Sequence, residues 1–402
     1  MKLLETYVDA GAGRARLVGR IQQAGRPAGT PDEVYFAYPE SFAHFLDRSA
    51  DPFVPALLVP CMETGEPLEL PFPVSSRLLR QTHAVQDFLL SLYPALRRVE
   101  LRADADDAPV GVRAPNTATF FSGGVDSFYT LFRCADPGYV EGARPLTHLI
   151  LVRSTAGADH RGFGAPTRST PELERHQAEI DCVARKAGKD LIVAETNLQR
   201  RFGTLNWNLH YHGAALAAIA LALSRGLGAV LISSSYAFGE VRRWGSHPLL
   251  DPLWSTDRLR VVHVGAEAQR TQKLVTVADQ ALAMHHLRVC LKNGGAAPNC
   301  GRCSKCVRTM LILELMGRLG EAETFPNTLP SDYAEILARD HEDYRTDILD
   351  FARRSGRRPD ILRQLERFER RHRRRRAVRE LMENTPLITS SVPWIQRLRG
   401  RA

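Results

Sequence analysis

The sequence predicts an α/β fold: a doubly wound parallel sheet, preceded by a small α/β domain and followed by a helical extension. Three observations predict it. Strand-like and helix-like segments alternate from Thr117 to Ser233, the pattern of a parallel sheet with helices on both faces. One strand, Thr117 to Phe121, ends in Ser122-Gly123-Gly124 and an apolar helix start, a junction used to hold anions. The chain has 402 residues with an apolar fraction of 44%, enough for two or three domains.

The elements follow in order. Residues 1–115 read as a separate accessory domain, with Val34-Tyr35-Phe36, Leu57-Leu58-Val59 and Val99-Glu100-Leu101 as strands. Ser76 to Tyr93 reads as a helix whose apolar face draws on Leu78, Leu79, Val85, Phe88, Leu89 and Leu92. Asp104 to Pro109 reads as a solvated linker. Residues 116–320 read as the parallel-sheet domain. Its strands are Thr117 to Phe121, Leu146 to Arg153, Leu191 to Glu195 and Ala229 to Ser233. A helix capped by Thr170 with Pro171 in its first turn runs toward Gly188. His212 to Leu223 is apolar on most sides, as a well-covered helix is. Residues 321–402 are helical and charged, with thirteen arginines between Arg353 and Arg379.

The loop carries the chemistry. Gly123 and Gly124 allow a backbone conformation that brings amides close to an anion. Ser122 and Ser127 add hydroxyls beside a helix N-terminus, whose dipole favours negative charge. Asp126 repels phosphate unless Mg²⁺ bridges the two. The bland alternative is a capping Asp in a tight turn. In parallel sheets ligands bind beyond the carboxyl ends of the strands, so Val152-Arg153-Ser154, Thr196-Asn197 and Ser233-Ser234-Ser235 are expected beside the loop, with adenine against Val152, Arg153 and Ser154.

The Ser-Gly-Gly-Val-Asp-Ser order after a strand resembles the PP-loop ATP pyrophosphatases, adenine nucleotide alpha hydrolase-like enzymes that include GMP and NAD synthetases and tRNA thiolases. The resemblance implies cleavage of ATP between its α and β phosphates, with Ser122, Gly123, Gly124, Val125, Asp126 and Ser127 on the pyrophosphate portion. The Walker loop's Gly-x-x-x-x-Gly-Lys-Ser/Thr is absent.

Cys290, Cys300, Cys303 and Cys306 are clustered, with two-residue gaps between the last three and Gly294-Gly295 between the first two. Such thiolates converge on one soft metal, a structural Zn²⁺ or an iron–sulfur cluster. Cys61, Cys134 and Cys182 stand alone as core thiols. A knuckle of this spacing after the loop looks like the 7-cyano-7-deazaguanine synthases (QueC), whose four cysteines bind structural zinc; the resemblance favours zinc here. It spans about residues 116 to 320.

It also implies an ATP-dependent ligase that adenylates a carboxylate and joins ammonia or another amine, giving an amide or nitrile. The family's Thr-Lys pair aligns with Thr256, Asp257 and Arg258, without the Lys; Arg270 and Lys273, one helical turn apart, are the substitutes. Asp126, Ser127, Arg270 and Lys273 are thus the catalytic candidates. Where the family has a Tyr-Pro-Asp-Cys-Arg substrate segment, this chain has Tyr236-Ala-Phe-Gly-Glu-Val-Arg-Arg, which puts the deazapurine substrate in question. His247, Asp251 and Trp254 lie in a Pro-bounded loop suited to substrate contacts; His210 and His212 flank another polar loop. Two rival functions stand beside the ligase: a tRNA sulfur transferase and a nucleotide-binding subunit of an assembly.

The net charge is +9 and the basic excess, almost all Arg, gathers near the C-terminus. It reads as an RNA or protein contact, or as a solvated helix face interleaved with Glu366, Glu369 and Glu380. No apolar run is long enough to span a bilayer, and the expected location is cytoplasmic.

Overall fold

A computed structural model describes residues 1–23, 32–107, 111–136, 138–140, 142, 144–153, 171–290, 298–338, 340 and 342–384, excepting the side chains of 375, 376 and 379–384. Pro109, Ser154, Thr170 and Gly294-Gly295 lie outside the described residues, as do the side chains of Glu380, Leu381 and Met382. Contacts divide the chain into two units: Met1–Asn299 with Ala322–Thr324, and Cys300–Glu321 with the chain from Phe325 onward.

The first unit carries strands β1 (Lys2–Gly11), β2 (Arg14–Gln22), β3 (Asp32–Pro39), β4 (Leu68–Glu69), β5 (Val74–Ser75), β6 (Leu101–Arg102), β7 (Ala105–Asp106), β8 (Asn116–Phe120), β9 (Leu146–Val152), β10 (Asp190–Thr196), β11 (Leu227–Ser233) and β12 (Arg260–Val264). Its helices are α1 (Phe53–Thr64), α2 (Ser76–Leu92), α3 (Val125–Arg133), α4 (Pro171–Lys186), α5 (Leu198–Arg201), α6 (His212–Leu221), α7 (Arg270–Ala278) and α8 (Ala281–His286).

Five strands are parallel, in the order β10-β9-β8-β11-β12. Counted within that block the order is 3-2-1-4-5, a doubly wound arrangement that reverses between β8 and β11. The predicted α/β class with a parallel sheet is therefore present. β8 is buried through Thr117, Ala118 and Thr119. A β-branched hydroxyl is tolerated there because Thr119 Oγ1 donates to Leu231 O of β11 at 3.3 Å.

The sheet does not stop at residue 116. β3 pairs antiparallel with β10, matching Glu195 to Ala37 and Thr196 to Phe36, and β2 and β1 continue it as a meander. Thr196 and Asn197, expected beside the loop, instead bind β3: Thr196 Oγ1 donates to Tyr35 O at 2.7 Å and Asn197 Oδ1 accepts from Tyr35 N at 3.0 Å. The core is shared too. Leu17, Phe36 and Phe53 belong to the same apolar cluster as Ile219, Val230 and Val261. At the other end, the contact division falls at residue 299/300, earlier than the boundary at 320/321 read from composition.

Two local expectations are corrected. Leu57-Leu58-Val59 lies inside helix α1. Phe53 through Met62 are all buried, so no polar face marks the helical period, and a fully buried helix and a buried strand look alike over three residues. Within the expected linker, Ala105–Asp106 forms β7 and pairs with β5.

The second unit holds α9 (Ser304–Met316), α10 (Tyr333–Leu337), α11 (Glu342–Ser355) and α12 (Pro359–Asn384). Gly317, at φ +76°, ends α9 in the left-handed conformation. Arg308 is buried against the Tyr344 ring, its guanidinium 3.9 Å from the centroid and 3.0 Å from Asp340 Oδ2.

Candidate active site

The Ser122–Ser127 loop leaves the carboxyl end of β8, at the reversal between β8 and β11. Gly123 adopts φ +76°, a region costly for any residue with a Cβ; a Cβ there would also stand 3.0 Å from Ile180 Cδ1. The loop is strapped from behind: Arg288 N donates to Gly123 O at 2.8 Å, and His176 Nε2 lies 3.2 Å from Ser122 O, a carbonyl that needs a donor. Burial, then the nearby Arg288 charge, pushes His176 down to about 4, so the ring is neutral. Ser127 Oγ donates back to Gly124 O at 2.9 Å. Its proton is thus used inside the turn rather than aimed outward.

α7 follows β12, so its N-terminus, like that of α3, opens at the carboxyl edge of the sheet. A reciprocal capping box between Gln269 and Gln272 fixes its start. The first turn therefore projects Arg270 and Lys273, two cations at the positive end of a helix dipole, where cations are disfavoured. Asp126 compensates them. Arg270 Nη1 sits 2.6 Å from Asp126 Oδ2, and Lys273 Nζ 3.3 Å from Oδ1. Lys273 is 2% exposed at its side chain and also donates to Ser234 O at 2.7 Å. Burial pushes the Asp126 carboxyl up, but the Arg270 and Lys273 charges outweigh it and hold the group below the ordinary carboxylate range. With 24% of its side chain exposed, Asp126 is the open face of the trio.

The starts of α3 and α7 thus meet, and among the described residues Asp126 is the carboxylate that contacts both cations. That is a field waiting for an anion. The other nearby carboxylate, Glu267, is engaged: Tyr129 and Tyr139 hydroxyls donate to its Oε1 at 2.8 and 2.7 Å.

Family models, curated proteins and solved structures yield no match to this chain.

Residue chemistry and geometry alone speak for the site. The structure brings together Ser122, Gly123, Gly124, Val125, Asp126, Ser127, Arg270 and Lys273. It turns Arg153 aside, toward Glu195 Oε1 at 3.1 Å, a carboxylate that Arg14 also meets at 2.7 Å. Val152 ends β9, next to β8. Thr256, Asp257 and Arg258 precede β12 and so lie at the amino edge of the sheet, away from the loop; Asp257 Oδ2 accepts from Ser75 Oγ at 3.2 Å instead. In α7, Thr271 is buried two residues before Lys273.

Most of the Pro-bounded loop is buried, while Leu249 stands exposed. Asp251 and Trp254 are fully buried. Asp251 Oδ2 accepts from Ser246 Oγ at 2.6 Å and from His263 Nδ1 at 2.7 Å, while Oδ1 accepts from His247 N at 3.2 Å. This network pins the loop to β12. His263, Glu267, His176 and Arg288 were not singled out by the sequence; each acts through a partner far along the chain, and no local spacing announces it.

The four clustered cysteines place their sulfurs within 4.8 Å of one another. Cys300 Sγ and Cys306 Sγ are 3.9 Å apart, close to the ~3.8 Å edge of a tetrahedron with Zn–S bonds of about 2.3 Å. Cys303 caps α9, its Sγ accepting from Cys306 N at 3.5 Å. Asn299 Oδ1 accepts from the backbone N–H groups of Val289 and Cys290 at 2.9 and 3.1 Å, orienting Cys290. A thiolate set of this shape fits a structural metal such as zinc.

Proposed function

We propose that this protein is a PP-loop-type, QueC-like ligase that consumes Mg–ATP, adenylates a small-molecule carboxylate and passes the acyl group to ammonia or an amine, giving an amide or nitrile. The observation that carries it is the Asp126–Arg270–Lys273 trio at the mouth of the Ser122–Ser127 loop. Incoming phosphates compete with Asp126 for both cations beside the Ser122–Ser127 loop. A carboxylate oxygen of the substrate attacks the α-phosphorus, the bond to the β-phosphate oxygen breaks, and pyrophosphate leaves with its charge met by Arg270 and Lys273. The amine nitrogen then attacks the acyl carbon, AMP departs and the amine loses a proton, giving the amide; a nitrile takes a second ATP, the amide oxygen of the ammonia product being adenylated in turn and leaving as AMP with loss of the remaining N–H protons. Asp126, freed from the cations and partly exposed, would be the residue to hold the Mg²⁺ that ATP brings, which would offset the charge between carboxylate and phosphate. Zinc at the cysteines is structural, because four thiolates leave no open position.

The test is product analysis with Mg–ATP, a panel of carboxylic acids and ammonia. AMP and pyrophosphate in equal amounts are expected. Lys273→Ala should slow their release about 10²- to 10³-fold, the scale of removing one transition-state donor. ADP with inorganic phosphate would overturn the reading, and a thiolated tRNA product would move it to the sulfur transferases.

A further inference from the structure

Helix α12 is two-faced in a way its composition hides. Ile361 and Leu365 are buried and Phe368 is half-buried on one side. The helix's carboxylates also point inward or sideways to a neighbour: Glu366 Oε1 meets Arg353 at 3.2 Å and Glu369 Oε2 meets Arg345 at 3.4 Å, both arginines on α11. Glu369 Oε1 also holds Arg373 at 3.4 Å. Glu366 and Glu369 are therefore engaged with α11.

The opposite side is left to arginine. Arg363, Arg367, Arg370 and Arg374 recur at spacings of four, three and four, one stripe of an α-helix, with Arg371 beside it. All five are exposed, and none has an acidic partner among the described residues. The stripe runs about 16 Å along the axis. Like charges one turn apart repel, so the row is disfavoured in the free protein.

We infer that this stripe is a docking surface for the phosphate backbone of a nucleic acid. Charge complementarity names the occupant: guanidinium forks match phosphate oxygens in pairs, and a linear row matches a linear polyanion. A protein partner would need an apolar or aromatic centre to its interface, and a membrane surface would need a cluster of apolar residues to insert; among the described residues of α12 the one exposed large apolar side chain is Val378, a turn beyond Arg374 at the end of the stripe. Without aromatic side chains to stack on bases, binding is independent of sequence.

The experiment uses the full chain and fluorescence anisotropy with short labelled duplex DNA, duplex RNA and single-stranded RNA over a range of salt. Binding to a duplex should fall with a log–log slope of about −4, and each arginine removed should reduce that magnitude by about 0.9. Changing Arg363, Arg367, Arg370 and Arg374 together to Gln should abolish most of the slope while pyrophosphate release is retained. Arg370→Gln alone gives the single-step change should the quadruple variant misfold, and Arg354→Gln, on α11, should leave the slope unchanged. The tightest of the three probes names the source of the phosphates. No binding at low salt, an unchanged slope in the Arg370→Gln protein, or equal affinity for polyglutamate would each overturn the inference.

Discussion

At the scale of single residues, the decisive contact is one carboxylate shared by two cations. Asp126 neutralises Lys273, whose ammonium is otherwise buried, and Arg270, 10% exposed at its side chain. Asp126→Asn should cost about 2–3 kcal/mol at neutral pH, below the full value for a buried pair because part of the carboxylate meets water. The sign with pH follows from the depressed carboxyl: its stabilisation is complete above the unfolded value of about 3.9 and is lost as pH falls through the lower folded value. Urea unfolding of both proteins should give a constant gap above about pH 5 that closes in more acid solution; a gap independent of pH down to acid unfolding would refute the pairing. Gly123→Ala should remove ATP binding measured by calorimetry and cost about 1–2 kcal/mol, from φ +76° and the Ile180 contact. The loop residues were legible in the sequence because glycines and a strand-to-helix junction are local signals. Arg270 and Lys273 were legible as a pair and Asp126 as a loop residue, but not the contact that unites the three. Asp251–His263 was not legible at all, since it joins residues whose spacing matches no motif.

At the scale of elements, helix α1 explains how a Pro-containing apolar run can be a helix. Pro60 has no N–H to give the carbonyl one turn earlier, Ala56. Tyr211 supplies the missing donor: its hydroxyl lies 2.5 Å from Ala56 O. The sequence concealed this helix because its broken hydrogen bond is mended from outside the element. Tyr211→Phe should therefore cost about 1–3 kcal/mol by leaving a buried carbonyl unpaired. Combined with Pro60→Ala, which restores the N–H, the loss should be smaller than the sum of the two single changes; strict additivity in a double-mutant cycle would refute the substitution of donors. The cysteine knuckle at the start of α9 offers a second element-level test. Cys61 and Cys134 are pushed by burial up to about 12 and about 11, so they should stay silent to thiol reagents at neutral pH. Metal analysis should find one zinc per chain, and chelation should release four reactive thiols and lower the melting temperature; a metal-free protein with the same melting temperature would refute a structural metal.

At the scale of the whole molecule, composition suggested an accessory domain ending at residue 115, and the sheet tells of a continuous body across that point. Proline-rich and acidic stretches between Pro52 and Pro109 imitate a linker, yet short pairings run through them, β4 with β1 and β6, and β5 with β7. Long-range ladders of this kind leave no periodic trace, and so the boundary read from composition lies inside one hydrophobic core. Tyr38 of β3 donates to Ile219 O of α6 at 2.6 Å, and the Cβ that Gly226 lacks would strike the Phe45 ring at 2.0 Å. Cutting the chain at 115/116 would bare β10 along the edge it shares with β3 and expose the apolar face of α6, which α1 covers. An exposed, apolar strand edge invites aggregation. A fragment of residues 116–299 should then be insoluble or bind hydrophobic dyes without cooperative unfolding, whereas residues 1–299 should unfold in one transition. Coexpression of 1–115 with 116–299 should restore solubility by re-forming the β3–β10 ladder. A soluble, cooperatively folding 116–299 fragment would show that the meander is an appended module after all, and that the parallel block needs none of it.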